Sequence, residues 1–341
     1  MKTFCYWALV AVLAGSTLTL IFVCPHGSDE HIPSNFVHSD DGFWVVTGDH
    51  HIFEITERAF NVKSIDGYAE GRGKWTPLGG PGPHQPHSVT AGMNRSIGED
   101  ELVIGVSTPA GAAAYPLRVV ARHQVVNDRV GGWPVLVHFG EKNRAAAAYT
   151  RRRGAKEPII GTTGLIRGNT HLLFDRETES LLDPLLGRFV AGELLGQSFE
   201  LLPSAVVPLS QWLEMKPDSL VLTLNTGIVS TKYPVRDVLE EKSALKTPGG
   251  EEMRMTYPLG SPVLVLAEGG EHVIVAFEAA RELGKREIHT ECGGAPRTVL
   301  FDGNWHTARA LLEDGEPARC LRTVWVSAVA TFPDARPAQL R

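Results

Sequence analysis

Ala114-Tyr115-Pro116, followed by Gly131-Gly132-Trp133-Pro134 and the run Val135-Leu136-Val137-His138-Phe139, is answered later in the chain. There Ala276-Phe277 is followed by Gly293-Gly294-Ala295-Pro296 and Arg297-Thr298-Val299-Leu300-Phe301. One interval of 162 residues separates Ala114 from Ala276 and also Gly131 from Gly293. A pattern that recurs in a fixed register suggests two copies of one supersecondary unit, and the unit bounds what kind of site can be built. It names no reaction.

The chain has 341 residues, 43% apolar and 21% charged, enough to bury a full core and to hold two domains or one large duplicated one. The net charge is −6, and the basic residues are dispersed apart from Arg151-Arg152-Arg153. A nucleic-acid partner is therefore not expected. The arginine triplet reads as a solvated turn before Gly154 rather than an anion site.

From Phe4 to Cys24 the chain is almost uninterruptedly apolar and carries no charge. As a helix rising about 1.5 Å per residue it is long enough for a hydrocarbon core of about 30 Å. Ile21, Phe22, Val23 and Cys24, ahead of Pro25, suit neither a small-x-small cleavage site nor a lipoprotein acceptor cysteine. An uncleaved signal-anchor is favoured over a cleaved peptide. Lys2 on the inner side and Asp29-Glu30 beyond the span put the bulk of the chain on the extracytoplasmic side of the membrane. Cys5 and Cys24 lie at the ends of this segment, which leaves Cys292 and Cys320 in the globular part. In an oxidising exterior these two either pair as a disulfide or stay separate buried thiols, and spacing does not decide between them. They form no C-x-x-C pair, and no structural zinc site is expected.

Phe43-Trp44-Val45-Val46 and Ile52-Phe53-Glu54-Ile55 read as a hairpin, and the Gly, Pro and His-rich stretch over 66–100 reads as a loop or linker. His50, His51, His84 and His87 have no carboxylate or cysteine at ligand spacing and read as unliganded. From Leu102 onward β-branched runs recur: Val103–Val106, Val135–Phe139, Ile159-Ile160, His171–Phe174, Leu220–Thr223, Val263–Leu266, Val273–Val275 and Val324-Trp325-Val326. Short helices are expected over Leu209–Met215, Val235–Leu245 and Phe277–Leu283. The predicted class is thus strand-rich α+β: two pseudo-repeated, mainly β units with short helices, behind one N-terminal transmembrane helix. The predicted segments are a signal-anchor over 1–28, a β-rich extension over 29–65, the loop, a first unit over 101–250 and a second over 251–335. No dinucleotide-binding glycine motif, P-loop, nucleophile elbow or H-E-x-x-H appears.

Further blocks carry a resemblance. Ala114-Tyr115-Pro116-Leu117-Arg118, followed by His123-Gln124-Val125-Val126-Asn127-Asp128-Arg129-Val130-Gly131-Gly132, is similar to the opening block of the uncharacterised bacterial and archaeal family catalogued as domain of unknown function 3179. Leu172-Leu173-Phe174-Asp175-Arg176-Glu177-Thr178-Glu179-Ser180-Leu181 resembles that family's strand ending in D-R-E-T-x-S-L. Trp212 to Asp218 and Asn225-Thr226-Gly227 resemble its W-x-x-x-x-P-D and N-T-G blocks, so the likeness covers roughly residues 100 to 335 in order. The resemblance implies no established reaction.

Departures narrow the chemistry. Where the family resemblance leads to C-P-L-C-G, this chain reads Gly140-Glu141-Lys142-Asn143-Arg144, so thiol exchange or soft-metal binding by a cysteine pair is not available there. Where the family has S-L-W-S-Q, the chain has Ser180-Leu181-Leu182-Asp183-Pro184. His123 and Asp175 remain as candidate catalytic base and orienting carboxylate; His123, Asn127, Asp128 and Arg176 remain as candidate ligand contacts, with Glu177 and His171 beside them. A structural reading competes at each: Asn127-Asp128 suits a turn before Gly131-Gly132, and Asp175 to Thr178 a polar strand end. The function expected is a membrane-anchored extracytoplasmic binding or interaction module, with a metal, redox or hydrolytic enzyme using a His/Asp cleft as the alternative. No metal ligand set is assigned and the cofactor is unknown. Convergence of His123, His138, His171 and Asp175 on one pocket would favour the enzyme.

Overall fold

The computed structural model describes residues 97–167, 169–223, 256–304 and 306–338, together with the backbone of seven short strands ahead of them. The helix expected over Val235–Leu245, the four N-terminal histidines His50, His51, His84 and His87, and Cys5 and Cys24 lie outside the described residues. The apolar N-terminal stretch, expected as one helix, is paired as two antiparallel strands, β1 (Ala8–Ala14) and β2 (Thr17–Val23). Its Val, Ile and Thr content suits strand as well as helix. No helix among the described residues is long and apolar enough to cross a membrane. β3 (Phe36–Ser39), β4 (Gly42–Val46) and β5 (Ile52–Ile55) form a meander that contains the expected hairpin. The stretch expected as a loop over 66–100 contributes most of β6 (Ile65–Tyr68) and all of β7 (Ser88–Thr90), each paired with a strand far along the chain.

From Leu102 the chain runs through β8 (Leu102–Thr108), β9 (Gly111–Pro116), α1 (Leu117–His123), β10 (Val125–Val130), β11 (Trp133–Gly140) and β12 (Ala145–Thr150). Five strands then intervene: β13 (Ile160–Arg167), β14 (Thr170–Asp175), β15 (Leu181–Asp183), β16 (Arg188–Ala191) and β17 (Glu200–Leu201). β18 (Ser204–Pro208), α2 (Leu209–Met215) and β19 (Leu220–Leu222) close this half. The second half is β20 (Pro262–Glu268), β21 (Glu271–Ala276), α3 (Phe277–Glu282), β22 (Glu287–Cys292), β23 (Ala295–Phe301), β24 (Ala308–Leu311), β25 (Cys320–Val324), α4 (Trp325–Thr331) and β26 (Arg336–Pro337).

The halves exchange strands. One sheet runs β10-β11-β12-β25-β20-β21-β26, and the other β22-β23-β24-β18-β8-β9-β19-β7. Each therefore joins a three-stranded meander from one half to the hairpin and later strands of the other. Even the closing parallel pairs correspond, β19 with β9 and β26 with β21. The third main sheet, β16-β15-β14-β13-β6, takes four strands from the segment between β12 and β18 and the fifth, β6, from ahead of β8.

The recurrent glycine pairs are hairpin turns. Gly131 and Gly132 have φ of 56° and 84°, and Gly293 and Gly294 have 64° and 70°. Two consecutive left-handed residues make the tight turn whose twist matches its flanking strands, and glycine adopts them without steric cost. At Gly131 close approach adds a second reason, because a Cβ would stand 2.1 Å from the Ala110 carbonyl oxygen. The other end of the sequence match needs correction. Leu117, not Tyr115, opens the helix that corresponds to the one beginning at Phe277. The difference of two arises after the helix start: seven helical residues and Gln124 lead to β10, whereas six helical residues and Leu283 to Arg286 lead to β22.

Apolar alternation along the strands fills both faces. Between the two sheets, one cluster gathers Ile104, Tyr115, Val120, Val137 and Phe139, and a second gathers Leu264, Val275, Phe277, Val299 and Phe301. On the opposite face of the first sheet, Leu136, Ala147 and Val265 pack against Leu173 and Leu182 of the inserted sheet and Trp325 of α4. Trp212 of α2 covers the second sheet. Val324-Trp325-Val326, expected as strand, splits at Trp325. There the amides of Trp325 and Val326 turn to the carbonyls of Ser261 and Leu259, and the chain coils into α4. Tertiary pairing overrides a β-branched preference here.

Trp212 shows how tight the fit is. It is fully buried, its Nε1 donates to Ser219 Oγ at 2.8 Å, and a Cβ at Gly105 would lie 2.1 Å from its ring. Gly105→Ala is expected to destabilise the protein by about 1–3 kcal/mol through overpacking. Urea unfolding reads the shift, and an unchanged midpoint would contradict this packing.

Candidate functional site

The residues singled out from sequence gather where β10, β11 and β12 meet the inserted sheet, but most are spent on holding that junction together. Asn127, nearly fully buried, donates Nδ2 to the Ile160 carbonyl at 3.0 Å and accepts the Ile160 amide on Oδ1 at 2.9 Å. Its side chain thus acts as one more rung, tying the edge strand β10 to the start of β13. Asp128 accepts the Tyr115 hydroxyl at 3.0 Å and the Arg129 amide at 2.7 Å. Burial pushes its carboxyl above the usual range, against the opposing pull of those bonds and of Arg151.

Arg151 corrects the expectation of a solvated triplet. It is buried, and its guanidinium reaches the carbonyls of Val135 at 3.0 Å, Pro158 at 3.2 Å and Asp128 at 3.2 Å. A planar five-donor group suits such a hub of backbone acceptors. Arg152 is exposed and stacks over the Trp133 ring at 4.7 Å.

Asp175 caps its own turn. Its Oδ2 accepts Thr178 Oγ1 at 2.9 Å and the Thr178 amide at 3.2 Å, and its Oδ1 faces the Glu177 amide at 3.4 Å. Arg176 and Glu177 are exposed, and Lys156 holds the Glu177 carboxyl below its ordinary range. His123 is fully buried at the end of α1. The structure therefore brings Asn127 and Asp128 to the β10–β13 junction and engages Asp175 in its own turn.

Cys292 and Cys320, the candidate disulfide, are free thiols. Cys292 lies on β22 in one sheet and faces the Glu271 carbonyl at 3.7 Å; Cys320 lies on β25 in the other and donates to the Ser204 carbonyl at 3.1 Å. Burial raises both, Cys320 to about 12, so neither is a poised thiolate.

Polar groups to which sequence reasoning assigned no site role line the tip of the β11–β12 hairpin, beside His138 of the convergence test. His138, fully buried, gives Nδ1 to the Gln124 carbonyl at 3.0 Å. A carbonyl partner fixes the proton on Nδ1 and leaves Nε2 as a bare lone pair, with no hydrogen-bond partner. Burial drives the ring down to about 3 in spite of that bond, and the neighbouring His171 adds to the effect. At the turn, Asn143 donates to Thr170 Oγ1 at 2.8 Å, and its carbonyl accepts Thr323 Oγ1 at 3.2 Å. Asn143 so links the inserted sheet, the hairpin and β25. Gly140 must be small: a Cβ there would stand 2.5 Å from Asn143 Oδ1 and 3.3 Å from His138 Nε2. Arg144 follows, buried and left-handed at φ 51°. Only the change from β-branched run to Gly-x-x-Asn-Arg marks this tip in the sequence. Among the described residues no group of three or more His, Cys, Asp or Glu side chains is placed to hold a metal ion.

This is a strand-rich α+β protein with short helices and several sheets. Residues 81–329 match the family described as protein of unknown function DUF3179, and the chain belongs to that family. The matched region begins inside the stretch that reads as a loop over 66–100. No curated protein and no solved structure matches the chain.

Two measurements check this geometry. Asn127→Ala orphans the amide and the carbonyl of Ile160 and is expected to cost roughly 2–4 kcal/mol in chemical denaturation. Between the ordinary histidine value of 6.5 and the buried value of about 3, the unfolded chain binds a proton at His138 that the folded chain refuses. Its contribution is intact above about pH 6.5 and falls on acidification by up to about 1.4 kcal/mol per pH unit. His138→Gln is expected to flatten that part of the stability profile, and an unchanged profile would place the titration elsewhere.

Proposed function

We propose that the protein is a membrane-anchored extracytoplasmic binding module, made of two copies of one strand–strand–helix–meander unit, with its ligand received at the Gly140–Arg144 hairpin tip. The observation that carries this reading is the commitment of the acidic and amide side chains. Asp175 serves its own turn, Asp128 holds Tyr115, and Asn127 clamps β13. A catalytic base needs an orienting partner, and the expected one is occupied. What the tip offers instead is a set of buried polar groups on a rigid hairpin, the arrangement that recognition uses. The common element order of the two halves, with their matched closing strands, supports duplication.

Anchoring rests on the run from Phe4 to Cys24. An isolated two-stranded hairpin is marginal in water, and in lipid its open edges leave backbone groups unsatisfied. A bilayer therefore favours the helical form of this segment, with Lys2 inside and Asp29-Glu30 outside.

The alternative, an enzyme or metal protein working through a His/Asp cleft, draws on the bare Nε2 of His138 beside His171. Metal analysis of the purified, tag-free protein separates the two. The binding reading expects no stoichiometric metal, whereas metal that disappears on His123→Ala or His138→Gln would replace it with the alternative. In cell fractionation the full chain is expected in the membrane fraction, reached by protease added from outside, and a variant lacking residues 1–28 is expected to be released. Recovery of the full chain in the soluble fraction would refute anchoring.

A further inference from the structure

The two halves repeat one corner with its charges reversed. The meanders β10–β12 and β22–β24 keep a single register, since the cross-strand pairs Phe139–Ala146 and Phe301–Ala308 recur 162 residues apart, as the paired glycines do. At that interval Arg129 corresponds to Glu291 and Arg152 to Asp314, and all four are exposed. The adjoining hairpin continues the contrast. The pair that closes β8–β9 is Thr108 with Gly111, and the pair that closes β20–β21 is Glu268 with Glu271. In each half this hairpin turn touches the paired glycines: a Cβ at Gly131 would stand 2.1 Å from the Ala110 carbonyl oxygen, and one at Gly293 would stand 2.6 Å from Glu268 Cγ. The two corners therefore share a backbone plan and differ in sign.

Neither corner is neutralised inside the molecule. Glu157 holds Arg129, but Arg152 and its neighbour Arg153 form no ion pair among the described residues, and Arg152 lies instead over the Trp133 ring. At the other corner Arg319 holds Glu268 and Arg336 holds Glu271. Glu291 and Glu313 form no ion pair among the described residues, and Asp314 only accepts the Glu316 amide at 3.0 Å. The corners also lie on one side of the molecule. Glu200 is paired with Thr150, two residues before Arg152, and its carboxylate holds Arg319, whose Nη1 reaches Glu268 at 3.0 Å. A face that carries a cationic and an anionic corner side by side is complementary to itself. Turned about a two-fold axis, a second copy sets each of its corners on the opposite one, and the assembly closes.

We propose that the chain forms a symmetric dimer in which the corner of Arg129 and Arg152 in each copy meets the corner of Glu291 and Asp314 in the other. The contact runs through side chains at the turns and leaves the strand borders unpaired. It goes beyond the binding reading above and does not depend on what the hairpin tip receives.

Light scattering on the full chain, separated by size in a neutral detergent over a concentration series, tests this. Dimers are expected at about 50 mM salt and monomers at about 1 M, where the screening length shrinks to about 3 Å. Arg152→Asp copies Asp314, and Glu291→Arg copies Arg129, so each variant places in one corner a residue that the same backbone already carries in the other. Each alone is expected to weaken dimerisation by about tenfold or more and to keep the wild-type Tm in high salt. Mixed in equal amounts, the two are expected to associate more tightly than either alone, because the mixed dimer retains one contact between two unaltered corners. A monomer at low salt, a dimer indifferent to salt or to both substitutions, or a mixture no tighter than its components overturns the proposal. If one variant does not fold, the other variant and the salt series decide.

Discussion

Two backbone bridges, Ala146 to Arg322 and Val206 to Ala308, carry each large sheet from one half of the chain into the other. Everything else is arranged around that exchange. The hairpin β8–β9 finds its sheet partner β18 in its own half, but β18 reaches β24 of the second half. β20–β21 reaches β12 of the first half through β25 in the same way. Neither half has a complete sheet without the other, although each inter-sheet cluster draws its residues from a single half. Stability of this kind is cooperative across the molecule, because β12 and β24 each end a meander of one half on an edge that a strand of the other half covers.

Sequence reading recovered the elements whose signal is local. β-branched runs marked β8, β11, β14, β20 and β21, Pro208 marked the start of α2, and the paired glycines marked two hairpins. Elements formed through distant contacts were less legible. α1 contains Val119 and Val120 and reads as a mixed stretch, yet Val120 is buried between the sheets as a helix. Trp325 continues a strand pattern, yet it opens α4, because the amides of Trp325 and Val326 find acceptors in the segment before β20. The recurring sequence pattern is in register at its paired glycines, where backbone conformation dictates residue type, and is two residues out of register at the helix starts, where only packing decides.

The site divides along the same line. Asn127 and Asp128 stood out as polar residues ahead of a glycine pair and Asp175 as one at a strand end; the first two lie within β10 rather than in the turn, and all three spend their side chains on hydrogen bonds inside the fold. The groups that set the chemistry of the hairpin tip are His138 inside an apolar run and Asn143 and Arg144 in an ordinary turn. Nothing local distinguishes the buried Arg322, within Cys320–Val324, from a surface strand arginine. Its burial follows from the sheet in which β25 lies.

The clamp between Asn127 and Ile160 also settles how each sheet ends. On one side the edge strand β10 is tied to the inserted segment, which covers the apolar Val125. The corresponding edge strand, β22, receives no such insertion, and along it Glu287, His289 and Glu291 face outward between buried Ile288, Thr290 and Cys292. Alternating charges on a strand border discourage another chain from adding to it. These two borders are thus guarded by different means, one by cover and one by charge, and the cover on one side needs no counterpart on the other.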